Sequence, residues 1–178
     1  MTYLVVDAQV QREAAAHEGA SANAVAFALA LQAIAAEESL GLAVNRRLMQ
    51  EYGWEKPERG FISEFASALL RDLTARDRVA RVADEPDEAL ACAVNGLYQN
   101  EKTMAEKDVH LVVAALATDR RILSHEKRAR RAFRTAIPAD ARLAALHWVS
   151  PADSHCRAWL GQGAPDEPAY HLTQPPAW

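Results

Sequence analysis

Residues 3–7, Tyr3-Leu4-Val5-Val6-Asp7, are apolar without interruption until a carboxylate closes the run. A strand with one face in water alternates apolar and polar residues. A continuous run needs apolar cover on both faces, which is the situation of a strand inside a parallel sheet. The segment 2–7 is therefore expected to be a buried parallel strand. Leu42-Ala43-Val44, Ile122-Leu123-Ser124 and Leu146-His147-Trp148-Val149 are shorter candidates of the same kind. Helical stretches lie between them, and strands alternating with helices predict an α/β fold around a mostly parallel sheet.

The punctuation supports that reading. Residues from about Ser21 to Ser39 are rich in Ala and Leu and stop near Gly41, a helix followed by a helix breaker. Asn45 is an N-cap for a helix carrying Leu48, Met49 and Tyr52, with Glu51 in its second turn. Gly53 to Gly60, with Pro57, forms a break, after which Phe61, Phe65, Leu69 and Leu73 repeat every fourth residue. Residues 78–82 alternate and predict either an edge strand or a loop. Pro86 falls in the expected first turn of an acidic helix that ends near Gly96. Thr103-Met104-Ala105-Glu106 has the form of a capping box, which would start a helix near Met104 and put Asp108 in its first turns. A basic helix is expected from about Glu126 to Thr135. One domain over residues 1–160 is expected, then an irregular Pro-rich tail over 161–178 holding Pro165, Pro168, Pro175 and Pro176.

A chain of 178 residues can bury a proper core, and 50% apolar with 25% charged residues is ordinary for a globular protein. No apolar run reaches the roughly 18 residues that span a bilayer. The N-terminus carries no basic leader, and Cys92 and Cys156 match neither a ligand spacing nor a disulfide framework. A reduced, cytoplasmic setting is the default expectation. The net charge of −4 argues against a general nucleic-acid binder. The stretch from Arg120 to Arg134 is nonetheless dense in Arg and Lys, and it has two readings. It is either a solvated helix face or a stripe that contacts phosphates.

Asp7 and Asp108 are the most informative acids, one at the end of the first strand and one at the start of a late helix. Ligands of an open parallel sheet bind outside the carboxyl ends of its strands. Carboxylates gathered there without bases need a cation to hold them together. Each acid also has a structural reading: Asp7 as a turn or cap residue, Asp108 as partner to a helix dipole, Glu51 as a solvated helix residue and Glu126 as the N-terminal acid of a basic helix. Asp84, Glu85, Asp87 and Glu88 read as a solvated helix start. His110 has no second His at metal-binding spacing and reads as a packing or supporting residue. Ser124 lacks the His and Asp partners of a nucleophile, and no Gly-rich phosphate loop is present.

Four segments together resemble the PIN domain, a family of metal-dependent nucleases: Leu4-Val5-Val6-Asp7, Leu48-Met49-Gln50-Glu51-Tyr52, residues 107–116 around Asp108, and Ile122-Leu123-Ser124-His125-Glu126. In order and spacing they cover most of residues 2–150. The resemblance implies a Rossmann-like three-layer α/β/α fold and hydrolysis of phosphodiester bonds, usually in RNA, with Mg²⁺ or Mn²⁺. It implies Asp7 and Asp108 as the principal metal ligands, Glu51 as a ligand directly or through water, and Glu126 at a second ion or orienting water. Arg120, Arg121, Ser124 and Lys127 would contact substrate. The implied partners are RNA, an antitoxin or other protein if the chain is a toxin of a toxin–antitoxin pair, and a second copy as a homodimer; a membrane is not among them. Two positions depart from the family pattern. Gln9 stands where Asn or Ser is usual, and Glu126 follows Ser124 and His125 where an Asp after Thr or Ser is usual.

Hard divalent ions prefer carboxylate oxygen and keep bound water, which can be presented to phosphorus as a nucleophile. The rival readings are a PIN-like module that binds RNA or protein without cutting, a phosphotransfer protein with its acid after the first strand, and a flap-cleaving DNA nuclease. Gln9 replaces the second Asp that a phosphatase would carry, and the chain is short for the substrate elements of a flap nuclease.

Overall fold

A computed structural model of the chain describes residues 1–53 and 63–175. Its strands are β1 (Thr2–Val6), β2 (Leu40–Val44), β3 (Val79–Arg81), β4 (Arg121–Leu123) and β5 (His147–Val149). They form one five-stranded parallel sheet in the order β3-β2-β1-β4-β5. Leu4, Val5 and Val6 are wholly buried, as a continuous apolar run requires. Each such side chain contributes about 1.5–3 kcal/mol relative to exposure. The 78–82 segment is an edge strand, parallel to β2.

The helices are α1 (Ala8–Glu13), α2 (Ala22–Ala36), α3 (Arg46–Glu51), α4 (Glu64–Ala75), α5 (Glu88–Asn95), α6 (Gln99–Leu116), α7 (Lys127–Ala136) and α8 (Cys156–Leu160). α2 packs with α4, α8 and β2, while α6 packs with α5, α7 and strands β1, β2 and β4. The result is a three-layer α/β/α arrangement of Rossmann-like form. Ser21 and Asn45 cap α2 and α3 as their sequence positions predict, each accepting a backbone N–H one turn on.

Several local expectations are corrected. No helix is expected directly after β1, yet α1 starts there, with Asp7 in the cap role its structural reading allows, its carboxylate accepting the Gln9 N–H at 2.9 Å. α6 starts at Gln99, a turn before the apparent capping box. Thr103 Oγ1 instead donates to the Gln99 carbonyl four residues back, as a hydroxyl inside a helix does. Gln, Glu and Lys are good helix formers and carry the helix upstream of Met104. Asp108 therefore lies in the middle of α6, away from the N-terminal dipole. Pro86 lies outside α5, whose N-cap is Asp87, accepting the Leu90 N–H at 3.0 Å. Phe61 and the 54–60 part of the break lie outside the described residues, and α4 begins behind the Ser63 cap.

The amino end of the sheet is tightly bonded. Buried Arg78 donates to the carbonyls of Leu40, Ile34, Ala35 and Glu37, joining the end of α2 to the start of β2. Gly41 is needed beside it, since a Cβ there would stand 2.7 Å from the Arg78 carbonyl and 2.8 Å from the Tyr3 ring. Residues 161–175 hold one 3₁₀ turn, Pro168–Tyr170, and fold back on the sheet. Buried Leu172 donates its N–H to the Leu146 carbonyl, and His171 bridges antiparallel to His147. Arg130, buried on α7, donates to the Gln174 carbonyl at 2.7 Å, so this member of the basic stretch serves the tail. No helix among the described residues is long and apolar enough to cross a membrane.

Candidate functional site

β1 has β2 on one side and β4 on the other, so the order of strands reverses at β1/β4. The crevice outside the carboxyl ends of strands at such a point is where ligands of open α/β sheets bind. A cleft of about 460 Å³ opens there, and Asp7, Glu51, Asp108 and Glu126 all line it. Four different elements deliver them. Asp7 follows β1, Glu51 ends α3, Asp108 projects from mid-α6, and Glu126 is the N-cap residue of α7 after β4.

Asp7 is only 8% exposed and its two oxygens do separate work. One accepts the Gln9 N–H, and the other accepts the Ser124 hydroxyl at 2.7 Å. Ser124 also accepts the Glu126 N–H at 3.2 Å, so it joins the end of β1 to the start of α7. It is a buried positioning group beneath the cleft. Tyr52 donates its hydroxyl to the Val6 carbonyl just before Asp7. Burial, with the Asp7 and Glu51 charges, raises the Tyr52 phenol well above its ordinary value and keeps that donor protonated.

Asp108 shows how much negative charge gathers here. Its carboxyl is pushed up to about 7, first by burial, then by Asp7, and further by Glu126 and Glu51, with His110 pulling the other way. Glu51 has a different balance. Burial pulls its carboxyl upward, but His110 Nε2 at 3.2 Å and Arg47 Nε at 3.1 Å outweigh burial and lower it. Glu126 uses its carboxylate for no capping bond. Among the described residues, no three of these acids bring ligand oxygens within 4.8 Å of one another; His147, Asp166 and His171 do form such a group, at the other end of the sheet.

The expected substrate contacts divide. Ser124 lies under the cleft, and Lys127 is exposed at the start of α7. Arg120 and Arg121 stand at the amino end of β4, opposite to the acids, where Arg121 donates to the Ala164 and Asp119 carbonyls. The cations that line the cleft are Arg12, Arg47 and Lys107, which the sequence reading did not single out. Their only sequence signal was proximity to Asp7, Glu51 and Asp108. His110 emerges as the partner of Glu51, and its carbonyl accepts Asn45 Nδ2 at 2.9 Å, joining α6 to α3. No family model, curated protein or solved structure matches this chain.

Proposed function

We propose that the chain is a PIN-type nuclease that hydrolyses phosphodiester bonds in RNA with Mg²⁺ or Mn²⁺. The observation that carries this reading is the Asp108 carboxyl, raised to about 7 in a cleft it shares with Asp7, Glu51 and Glu126. Asp108 is raised by burial and by the charges of Asp7, Glu126 and Glu51, and a divalent cation would offset that repulsion. An all-oxygen donor set fits a hard ion. Mg²⁺ keeps several waters and takes one or two carboxylates directly, so convergence of every acid on one point is not required.

Asp7 and Asp108 would hold the ion, with Ser124 fixing the Asp7 carboxylate. Glu126 would accept a hydrogen bond from ordered water, and Glu51, already paired, would act through water. Once bound, the ion lowers the pKa of a water and neutralises charge on the phosphate. Lys107 and Arg12 on the cleft wall would hold substrate phosphates. Glu51 also supports a second reading. Its carboxylate is already satisfied by Arg47 and His110, which suits a module that binds RNA without cutting it.

An RNA cleavage assay in Mn²⁺ separates the two. Cleavage that EDTA stops is expected, and Asp7→Asn and Asp108→Asn should each lower the rate by at least about 10²-fold, the scale for a positioned catalytic group. Full activity in either variant overturns the assignment, and binding without turnover in the parent favours the second reading.

A further inference from the structure

His147 and the pair Asp166 and His171, five residues apart on the tail, meet at the amino end of β5. The His147–His171 bridge and the Leu172–Leu146 hydrogen bond fix the backbone that carries the two imidazoles. Their rings meet edge to face with centroids 4.6 Å apart, and Trp159 stacks on the His147 ring. Both Nε2 atoms address one oxygen, Asp166 Oδ1, at 3.3 Å from His147 and 2.8 Å from His171. His147 is 2% exposed and Asp166 is 73% exposed, so the group has a protein wall on one side and water on the other.

Two features point to a ligand. His147 Nε2 accepts the Glu167 N–H at 3.2 Å, so it presents a lone pair, and the ring proton belongs on Nδ1. The same nitrogen lies 3.3 Å from the Asp166 carboxylate oxygen, and an ion bound by both would take that lone pair in place of the long Glu167 N–H bond. Two acceptors held at that distance leave a place for a cation. The spacing is also suitable: bonds of about 2.0–2.1 Å in a tetrahedral site put neighbouring ligand atoms about 3.3 Å apart. The His171 contact would open by about half an ångström to match.

We propose that His147, Asp166 and His171 bind one borderline transition-metal ion of the Zn²⁺ class, with water in the fourth position, fastening residues 161–175 to the sheet. Two imidazoles and one carboxylate select Zn²⁺, Co²⁺ or Ni²⁺ over the Mg²⁺ or Mn²⁺ suited to an all-oxygen set. The site is independent of the acidic cleft.

The test is Co²⁺ titration of the untagged full chain, with Cys92→Ser to remove the exposed thiol. With excess Mn²⁺ present to fill the acidic cleft, one equivalent of Co²⁺ should bind with the visible spectrum of a tetrahedral ion, and Zn²⁺ should displace it. Zn²⁺ should also raise the melting temperature. Asp166→Ala, at an exposed position that should not affect folding, and His171→Ala should each weaken binding at least about tenfold. Asp7→Asn should leave it unchanged. Absence of a one-to-one complex, or affinity untouched by Asp166→Ala, overturns the proposal. If His171→Ala unfolds the tail by itself, Asp166→Ala still decides.

Discussion

At the amino end of the sheet, side chains are used up in binding backbone. Arg78 donates to four carbonyls, Asp119 accepts the Tyr3 N–H at 2.8 Å, and Arg121 reaches across to Ala164. At the carboxyl end, four acids face one cleft and one of them is raised to about 7. Asp108 there is raised by its acidic neighbours even with Arg12, Arg47 and Lys107 on the cleft wall, while Arg78, Asp119 and Arg121 at the other end are each matched to backbone. The contrast separates the part of the molecule that holds the fold from the part that has chemistry left to do. The His147–Asp166–His171 group is an exception within the bonded end, because three potential ligand atoms meet there beside water.

The largest effect should come from the bonded end. Arg78→Met keeps apolar volume but strips hydrogen bonds from the carbonyls of Leu40, Ile34, Ala35 and Glu37. The Leu40 and Ile34 bonds are buried, the Ala35 and Glu37 bonds are partly so, and the Glu37 carbonyl keeps the Leu40 N–H. At about 1–3 kcal/mol for each unsatisfied buried carbonyl, a loss of about 2 kcal/mol or more is expected. Urea denaturation measures it. The surviving folded protein should cleave RNA at the parental rate, since Arg78 is remote from the cleft. A loss below about 1 kcal/mol would break the comparison by showing that these bonds hold little.

The second effect belongs to the carboxyl end and depends on pH. Asp108 titrates at about 7 in the folded chain and in the ordinary range near 4 when unfolded. Between those values the folded state keeps a proton that the unfolded state has released. Stability from this group is therefore full below about 4, falls as pH rises and levels off above about 7, with a steepest slope of about 1.4 kcal/mol per pH unit. Asp108→Asn should lack that decline and be the more stable protein at pH 8 without metal. Added Mn²⁺ should restore stability to the parent and do less for the variant. Urea melts at several pH values, with the two curves subtracted, isolate the effect. Parallel curves would mean that the acids do not repel.

Much of this contrast was legible in the sequence, and the rest had physical reasons for being hidden. A continuous apolar run marked β1, and short, mostly apolar segments marked β2, β4 and β5, because two-sided burial leaves little room for alternation. Asn45 and Ser21 were readable caps because capping is local. Asp7 hid α1 because one carboxylate can cap a helix and line a cleft at once. Thr103 and Glu106 imitated a capping box inside α6, since composition alone cannot say whether the helix has already begun. Four acids could be named because each follows or sits on a predictable element. Arg12, Arg47 and Lys107 could not, because the cleft wall depends on how helices pack. Asp166 and His171 are five residues apart but His147 is 19 residues upstream of Asp166, so only the folded tail reveals the group.

The smallest effect tests which end meets RNA. Binding of a single strand should weaken with salt, and each lost phosphate contact should reduce the log–log slope by about 0.7. Lys107 and Arg12 are exposed and line the acidic cleft, while Arg121 is committed to carbonyls at the far end. Titrations in EDTA, which prevents cleavage, should give a slope lower by about 0.7 for Lys107→Gln and for Arg12→Gln. The slope for Arg121→Gln should equal that of the parent once circular dichroism shows it folded. The reverse pattern, with Arg121→Gln lowering the slope and Lys107→Gln not, would move the RNA path to the amino end. It would separate the basic residues that hold substrate from the acids proposed to cut it, and the carboxyl-end cleft would then have no claim to RNA.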